Sequence, residues 1–557
     1  MNAPEDIAIL SSQMGRYIAR SNTMGETNRL TGYAFDNLLT INRTDVKVRR
    51  SIIGGVPWPM IVVLSSLTAF LLLLSCVNYM NIALATAGTR LREIGVRKAM
   101  GGLRSQIAWQ FLTENLLLCL IALIMGIEIA DAFLIPVFNE MAGVNLALDY
   151  GNLPDLTLFL LILLTGLGFA SGAYPAFYLS SFQPASIFRQ MRRTGGISGI
   201  MQGFLTIQFI VAFITVIAGV TFTMICNYQK TQDWGYNPAH TLVIQIQNPS
   251  HFSVLRDEAL RLPGVLAVAG SVDHIGRSER EVEILFEDTK IEAFRFDASL
   301  DYEKTIGLRL KTGQWRNTAN SLVVNEAFTR SQGWREPLGS TVRVDESDYV
   351  ISGVVEDFHF ENFQEIEPVV FGLANPSEYR FLSIHVQAGA DERTESAMGD
   401  AFKRMEPFAP FRRFFQDTVF DKALAENERV NRLFTFTAGI SLLIACLGLY
   451  GLASQNTADR LKEVGIRKVL GGSIPHLAWL IHRRFVLLLV LGAGIATPVT
   501  YLALNALIEN LYTYRMAVGP AALSIAYGLV FLTVLLTIST QIQRLATVNP
   551  AEALRNE

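Results

Sequence analysis

The sequence predicts a polytopic α-helical membrane protein with about seven membrane spans and one α+β extracytoplasmic domain. Three observations support this fold class. Half of the 557 residues are hydrophobic (50%), and the mean hydropathy is +0.31, which is high for a soluble protein. Seven apolar runs reach the roughly 20 residues that cross a hydrocarbon core. Between the fourth and fifth runs, short β-branched segments alternate with polar clusters, which is typical of a folded domain outside the membrane.

Apolar and polar stretches divide the chain into five regions. We expect residues 1–56 to be the remnant of a first extracytoplasmic domain, most of which, with its opening span, is missing from this sequence. The other regions are a first membrane unit at 57–195 with spans at about 58–85, 107–136 and 154–179, a further span at 203–227, a folded domain at 228–430, and a second unit at 431–557 with spans at about 432–454, 477–507 and 518–541.

Positive residues predict which loops face the cytoplasm, because short loops rich in Lys and Arg stay on the cytoplasmic side of a membrane. The loop after the first span carries five of them: Arg90, Arg92, Arg97, Lys98 and Arg104. We therefore expect the first span to run inward. The alternation of the following spans then places residues 228–430 outside the cell membrane.

A charged segment of thirteen residues occurs twice, and each copy follows an apolar run. Residues 90–102 read RLREIGVRKAMGG and residues 460–472 read RLKEVGIRKVLGG, with identical residues at eight of the thirteen positions. The repeat extends further at an offset of 370 residues, where Trp109 matches Trp479. Such a repeat predicts two equivalent units. We call each charged segment a cassette.

Each cassette has the composition of a short helix with a defined start and end. Thr89 and Asp459 are predicted N-caps, because a side-chain oxygen at that position accepts a hydrogen bond from an unpaired backbone N–H. The paired glycines suit a C-terminal stop, where the backbone turns left-handed. We expect four residues to form the apolar side of the first helix: Leu91, Ile94, Met100 and Leu103.

The cassette pattern E-[IV]-G-[VI]-R-K-x-[ML]-G-G after a membrane span resembles the signature of FtsX-like permease domains in the MacB/LolC/LolE/FtsX class of ABC transporters. The strings SLVVNEAF, GWREPLGSTVRV and YVISGVVEDFHFEN resemble MacB-type periplasmic core domains. The resemblance implies a permease subunit in a bacterial cytoplasmic (inner) membrane. It also implies mechanotransmission, in which closure of an ATPase is relayed through the spans to the outer domain to move lipoprotein, peptide or antibiotic-like cargo.

In that family the cassette is a coupling helix that seats in a groove of an ATPase subunit. The resemblance thus implies two copies of a separate ABC ATPase as partners, and a membrane-fusion or other periplasmic partner is a further expectation. The implied contact residues are Arg90, Glu93, Gly95, Arg97, Lys98, Gly101 and Gly102, with Arg460, Glu463, Gly465, Arg467, Lys468, Gly471 and Gly472 in the second copy.

ATP and Mg²⁺ are expected to bind the partner ATPase, because the phosphate-binding pattern GxxxxGK[ST] does not occur in these 557 residues. We therefore expect this chain to bind no cofactor and not to be an enzyme. The net charge of −3 gives no case for nucleic-acid binding. His359, in EDFHFEN, is expected to lie among packed aromatic residues rather than to ligate a metal.

Two other functions stay open from the sequence. FtsX-like relatives also serve as regulatory or signalling scaffolds that control an extracytoplasmic partner without moving a substrate. A secondary transporter fits less well, because the two halves lack matched broken helices with intramembrane ionisable clusters. The sequence does not select among the cargo classes.

Overall fold

The structure, a computed structural model, describes residues 58–85, 87–143, 145–148, 153–181, 199–286, 289–315, 320–344, 347–360, 365–471, 473–511, 516 and 518–547, and a few residues before 36. These residues form two compact units, one made of long helices and one built around a sheet, which holds residues 229–426. The predicted domain remnant at 1–56 lies almost entirely outside the described residues.

Within the described part of residues 58–547 there are fourteen α-helices. They are α1 (Trp58–Ala85), α2 (Ala87–Ala99), α3 (Arg104–Ile129), α4 (Ile135–Ala142), α5 (Leu153–Ser181), α6 (Gly199–Lys230), α7 (Phe252–Arg261), α8 (Tyr302–Ile306), α9 (Glu326–Ser331), α10 (Asp391–Met405), α11 (Asp421–Asp459), α12 (Leu461–Val469), α13 (Ile474–Leu511) and α14 (Pro520–Thr547).

Seven segments within the described residues are long and apolar enough to cross a membrane, which confirms the predicted number of spans. They are Ile61–Leu84, Arg104–Met141, Pro154–Tyr178, Gly199–Lys230, Gln416–Ala458, Pro475–Glu509 and Pro520–Gln543. The second of them joins α3 to α4 through one π-helical turn, Ala130–Leu134. Pro136 at the start of α4 accounts for this turn, because proline cannot donate the regular helical hydrogen bond.

Small residues let helices of this unit approach closely, as is usual in membranes where apolar packing alone gives little selectivity. In α5, a Cβ at Gly172 would lie 2.3 Å from Asn115 Nδ2 of α3. Asn115 Nδ2 donates instead to the Gly168 carbonyl at 2.7 Å. A side-chain amide also joins α6 to α11. Gln208 Nε2 of α6 donates to the Ile444 carbonyl of α11 at 3.0 Å.

The second unit contains an eleven-stranded sheet with strand order β11-β1-β10-β2-β4-β3-β7-β8-β6-β9 and β5 beside β8. The strands are β1 (Thr241–Gln245), β2 (Val265–Ser271), β3 (Arg280–Phe286), β4 (Thr289–Ala298), β5 (Leu310–Gly313), β6 (Ser321–Asn325), β7 (Thr341–Val344), β8 (Ser347–Val355), β9 (Val369–Leu373), β10 (Phe381–Val386) and β11 (Arg413–Phe415). Strand β9 also pairs in parallel with β4, and this pairing closes the strands from β4 to β9 along that order into a ring.

Short β-branched segments of the sequence form β1, β8 and β10, and the string SLVVNEAF is a strand as far as Asn325. The run then turns into α9, because the Asn325 side chain accepts from the Phe328 N–H and caps that helix. The expected packing around His359 is also confirmed. Phe358 and Phe360 are buried in the aromatic core of this unit.

One buried amide, that of Asn325, ties three segments of the sheet unit together. Asn325 is 0% exposed. Its Oδ1 accepts from the Phe328 N–H at 3.0 Å and the Val369 N–H at 2.9 Å, and its Nδ2 donates to the Glu367 carbonyl at 2.9 Å. These bonds join the end of β6 to α9 and to the start of β9.

We expect Asn325→Ala to lower the free energy of unfolding of the sheet unit by about 3 kcal/mol, because two backbone N–H groups and one carbonyl lose a buried partner. The control Gln332→Ala changes a partly exposed residue whose amide donates to the Ser331 hydroxyl at 3.4 Å. It is expected to change this free energy by less than about 0.5 kcal/mol. Denaturant unfolding of the full chain, followed by tryptophan fluorescence, measures both. Equal effects would contradict this role of Asn325.

Candidate functional site

The two cassettes form the short helices α2 and α12, and each is followed by a membrane span. The predicted N-caps are wrong. Thr89 lies inside α2, which begins at Ala87, and Asp459 is the last residue of α11. The chain turns at Arg460, and α12 begins at the next residue.

Glycine ends both cassette helices, as the sequence predicts. Gly101 and Gly471 have φ angles of +92° and +86°, a left-handed conformation that residues with a Cβ avoid. The Gly102 N–H donates to the Arg97 carbonyl at 2.9 Å, and the Gly101 N–H donates to the Lys98 carbonyl at 3.1 Å. This pair of bonds is a Schellman motif, which satisfies the last carbonyls of the helix. Gly472 lies outside the described residues.

An acidic and a basic residue one helical turn apart form the same ion pair in both copies. Glu93 Oε1 lies 2.6 Å from Arg97 Nη2, and Glu463 Oε1 lies 2.8 Å from Arg467 Nη2. All four side chains are about half exposed, so each pair adds only a few tenths of a kcal/mol to the helix. Its main effect is to hold each guanidinium on the outward side. The Arg90 side chain is outside the described part.

One aliphatic residue anchors each cassette helix to the span that follows it. Ile94 is 2% exposed and packs against Ile107 and Phe111 of α3. The equivalent residues in the second copy are Val464, Leu477 and Ile481, which form a matching buried cluster with α13. Gly95 and Gly465 are buried beside these anchors and therefore face the chain's own helices.

The opposite side of each cassette helix exposes large apolar side chains. Met100 and Leu470 are each 80% exposed, and Val96 and Ile466 are also exposed. The expectation of one apolar side made of Ile94, Met100 and Leu103 is therefore wrong. Only Ile94 of these packs inward, and the Leu91 side chain lies outside the described part. From residue 93 to 100 and from 463 to 470 the two copies have the same succession of buried and exposed positions.

Lys98 has a structural contact that the sequence does not reveal. Its Nζ donates to the Ser180 carbonyl at 2.5 Å, and Arg104 Nε donates to the same oxygen at 3.1 Å. Ser180 lies in the last turn of α5, where cations are favoured by the helix dipole. Burial, together with the neighbouring Arg104, lowers the pKa of Lys98. Lys98 thus links the first cassette to the end of the third span.

A small groove lies beside the first cassette, and two of its polar residues are not repeated in the second copy. It encloses about 160 Å³ between α2 and α3. Within it, Arg97 Nη1 donates to the Gln110 side chain, and Gln110 Nε2 donates to Glu114 Oε1 at 2.9 Å. At the offset of 370 residues, Gln110 and Glu114 are replaced by Leu480 and Arg484. The two cassettes have the same exposed positions, but the span that follows each carries an acidic residue, Glu114, in the first copy and a basic one, Arg484, in the second.

Sequence models of two domain families match most of the chain. The FtsX-like permease C-terminal domain matches residues 65–184 and again residues 435–550. The MacB-like periplasmic core domain matches residues 203–401. The chain belongs to the MacB/FtsX-like ABC transporter permeases. It is a multi-pass protein of the inner membrane, and the sheet unit is its MacB-like extracytoplasmic domain.

Characterised and uncharacterised relatives match the chain over short segments. The macrolide export ATP-binding/permease protein MacB of Acinetobacter baylyi is 32% identical over 127 residues, or 23% of this chain and 19% of the relative. The uncharacterized ABC transporter permease YknZ of Bacillus subtilis is 42% identical over 77 residues, or 14% of this chain and 19% of the relative. The matched segments thus span about a fifth of each relative.

Among solved structures, the periplasmic region of MacB from Actinobacillus actinomycetemcomitans is similar to this chain at 14% sequence identity. The match covers 34% of this chain and 94% of that structure, with a TM-score of 0.27.

The regions of this chain that match the two domain families are permease and periplasmic regions. Membership of an ABC transporter permease family implies an ATPase partner.

Replacing either terminal glycine with alanine is expected to destabilise the chain, because a Cβ is unfavourable at a positive φ. We expect Gly101→Ala and Gly471→Ala each to cost about 1 kcal/mol. Gly126→Ala in α3 is the matched control, since a Cβ there meets nothing within 4 Å and a helical glycine gains from it. Thermal unfolding of the purified full chain measures all three. A loss for Gly126→Ala as large as for the other two would contradict the assignment.

Proposed function

We propose that this chain is the permease subunit of an ATP-driven MacB-like ABC transporter, and that α2 and α12 each dock one copy of a separate cytoplasmic ATPase. The observation that carries the proposal is the identical pattern of buried and exposed positions in the two cassettes. A surface that appears twice with the same exposed ion pair and the same exposed apolar residues is suited to bind the same partner twice.

The chemistry of the outward side supports a protein partner. Met100 and Leu470 lie beyond the candidate spans and are almost fully exposed. Exposed apolar side chains that adjoin a charged rim are typical of interaction sites. Arg97 and Arg467 stand beside them, and arginine is enriched at protein interfaces. In the docked state the ATPase groove covers the apolar residues and provides acceptors for the two guanidiniums.

The anchors explain how a docked ATPase can move the spans. Ile94 and Val464 pack on α3 and α13, so a force on either cassette acts directly on a span. Lys98 extends this link to the last turn of α5. We infer that ATPase closure is transmitted through these contacts, without passage of cargo through the chain itself.

One long helix, α11, directly precedes the second cassette in the chain. Helix α11 contains 39 residues, from Asp421 to Asp459, and is followed after a single residue by α12. At 1.5 Å per residue this helix is about 58 Å long. We infer that α11 takes part in mechanotransmission, because only one residue separates it from α12.

The cargo and the outer partner follow from the family as part of this proposal. We infer export or extraction of extracytoplasmic lipoprotein, peptide or antibiotic-like molecules, with a membrane-fusion or other periplasmic protein as a further partner. ATP and Mg²⁺ are held by the ATPase. Several of the residues implied by the family point inward here, so the contact set is centred on Glu93, Arg97 and their equivalents Glu463 and Arg467, with the neighbouring apolar residues.

The double variant Arg97→Glu/Arg467→Glu is expected to reduce co-purification of the ABC ATPase at least tenfold, because both outward cations change sign. A matched control exchanges the pair in each cassette, with Glu93→Arg added to Arg97→Glu and Glu463→Arg added to Arg467→Glu. This control restores an ion pair within each helix, but the charges at positions 97 and 467 stay reversed. We therefore expect that this variant also fails to bind the ATPase. Normal ATPase binding by the double variant would contradict docking, and rescue by the exchanged pairs would show that only helix stability matters.

Single-cassette variants test the number of ATPase copies. Arg97→Glu alone and Arg467→Glu alone are each expected to leave one ATPase per permease, whereas the wild-type chain holds two. Native mass spectrometry of the detergent-solubilised complex measures this ratio. Two bound copies in both single variants, or none in either, would contradict independent docking at two equivalent surfaces.

A further inference from the structure

A pocket of about 490 Å³ opens on the extracytoplasmic domain beside β11, at the end of the strand order. Its lining comes from segments far apart in the sequence, around residues 245, 277, 380 and 412. The volume is that of a pocket for a small molecule. The permease motifs account for none of these residues, and nothing in the coupling between cassettes and ATPase uses this pocket.

Four arginines line the pocket: Arg277, Arg380, Arg412 and Arg413. Two of them are neutralised. Arg380 Nη2 donates to Asp273 Oδ1 at 2.6 Å, and Arg413 pairs with Glu395 of α10. Arg277 and Arg412 are exposed, and among the described residues no carboxylate lies within ion-pair distance of either. The pocket therefore keeps two uncompensated positive charges.

Aromatic rings form the apolar part of the same pocket: Phe381, Phe411 and Phe414. The guanidinium carbon of Arg277 lies 4.3 Å from the centre of the Phe414 ring, a cation–π contact that holds the arginine at the wall. Fixed guanidinium groups lose less conformational entropy on binding than free ones.

Behind the rings lies a neutral, buried polar group. The His274 ring contacts Phe381 and Phe414 at centroid distances of 5.5 and 5.7 Å. Its Nε2 bonds to Gln416 Oε1 at 2.8 Å, and burial lowers its pKa to about 4. His274 is therefore uncharged at neutral pH. The positive charge of the pocket comes from its arginines alone, above an uncharged floor.

We propose that this pocket binds an anionic amphiphile in which a phosphate monoester is attached to an apolar or aromatic body. Guanidinium groups match phosphate oxygens in charge and in fork geometry. A phosphate monoester carries a charge of about −1.5 to −2 at pH 7, which balances the two uncompensated arginines, whereas a carboxylate balances one. The phenyl rings cover the apolar body. Both a phosphorylated lipid headgroup and a soluble phosphorylated molecule present this chemistry.

Calorimetric titration of the full chain in nanodiscs of zwitterionic lipid tests the site, at low ionic strength where charge effects are largest. Phenyl phosphate is the probe, and inorganic phosphate and benzyl alcohol each present half of its chemistry. We expect phenyl phosphate to bind at least tenfold more tightly than either. No binding of phenyl phosphate, or equal binding of inorganic phosphate, would overturn the proposal.

The variant Arg277→Gln/Arg412→Gln is expected to weaken phenyl phosphate binding at least tenfold. The control Arg335→Gln/Arg343→Gln removes the same charge elsewhere on the domain, where Arg343 pairs with Asp348, and is expected to leave binding unchanged. Equal loss in the two variants would show a non-specific charge effect and overturn the site. Unchanged thermal unfolding and ATPase co-purification of the first variant separate its effect from misfolding and from the coupling function.

A competition experiment distinguishes the two sources of the ligand. Nanodiscs that contain phosphatidic acid, a phosphate monoester lipid, are expected to compete with phenyl phosphate if the headgroup reaches the pocket from the membrane. Undiminished phenyl phosphate binding in these nanodiscs assigns the pocket to soluble ligands of the same chemistry.

Discussion

Packing of a single buried aliphatic residue decides which side of each cassette helix faces outward. Ile94 and Val464 take the same position against the following span. Because a helix is a rigid cylinder with 3.6 residues per turn, burying this residue rotates Met100 and Leu470 away from the chain. The exposure of the Glu–Arg pair in both copies is consistent with that one orientation.

The two halves of the permease share this orientation but not its surroundings. Arg97 is held from two sides, by Glu93 and by Gln110. In the second half Leu480 stands in place of Gln110, and Arg484 in place of Glu114. The two cassettes thus share their outward pattern, while the residues of the following span beside them differ in charge.

Local signals in the sequence predict the spans, the cassettes and several strands, because each depends on residues close together in the chain. The apolar runs are long enough to need a membrane, and paired glycines stop a helix wherever they occur. Contacts between distant residues were not predictable. The parallel pairing of β9 with β4 and the bond from Lys98 to Ser180 join segments with no common pattern. The arginine pocket was missed for the same reason.

Errors within the cassettes have a related cause. The N-cap prediction assumed that each helix begins directly after Thr89 or Asp459, but α2 already begins at Ala87, and Asp459 belongs to α11. The apolar side was predicted from composition, which cannot separate residues that pack inward from those that stay exposed. Met100 and Leu470 belong to the second group.

Site-specific photo-crosslinking tests the central claim most directly. A benzoylphenylalanine placed at Met100 or at Leu470 should crosslink to the ABC ATPase in intact membranes. The same probe at Phe133, which is exposed near the far end of the second span, should crosslink to lipid only. ATPase adducts from both cassette positions are the predicted result. Lipid adducts alone from Met100 and Leu470 would show that these residues rest on the bilayer, and would contradict docking.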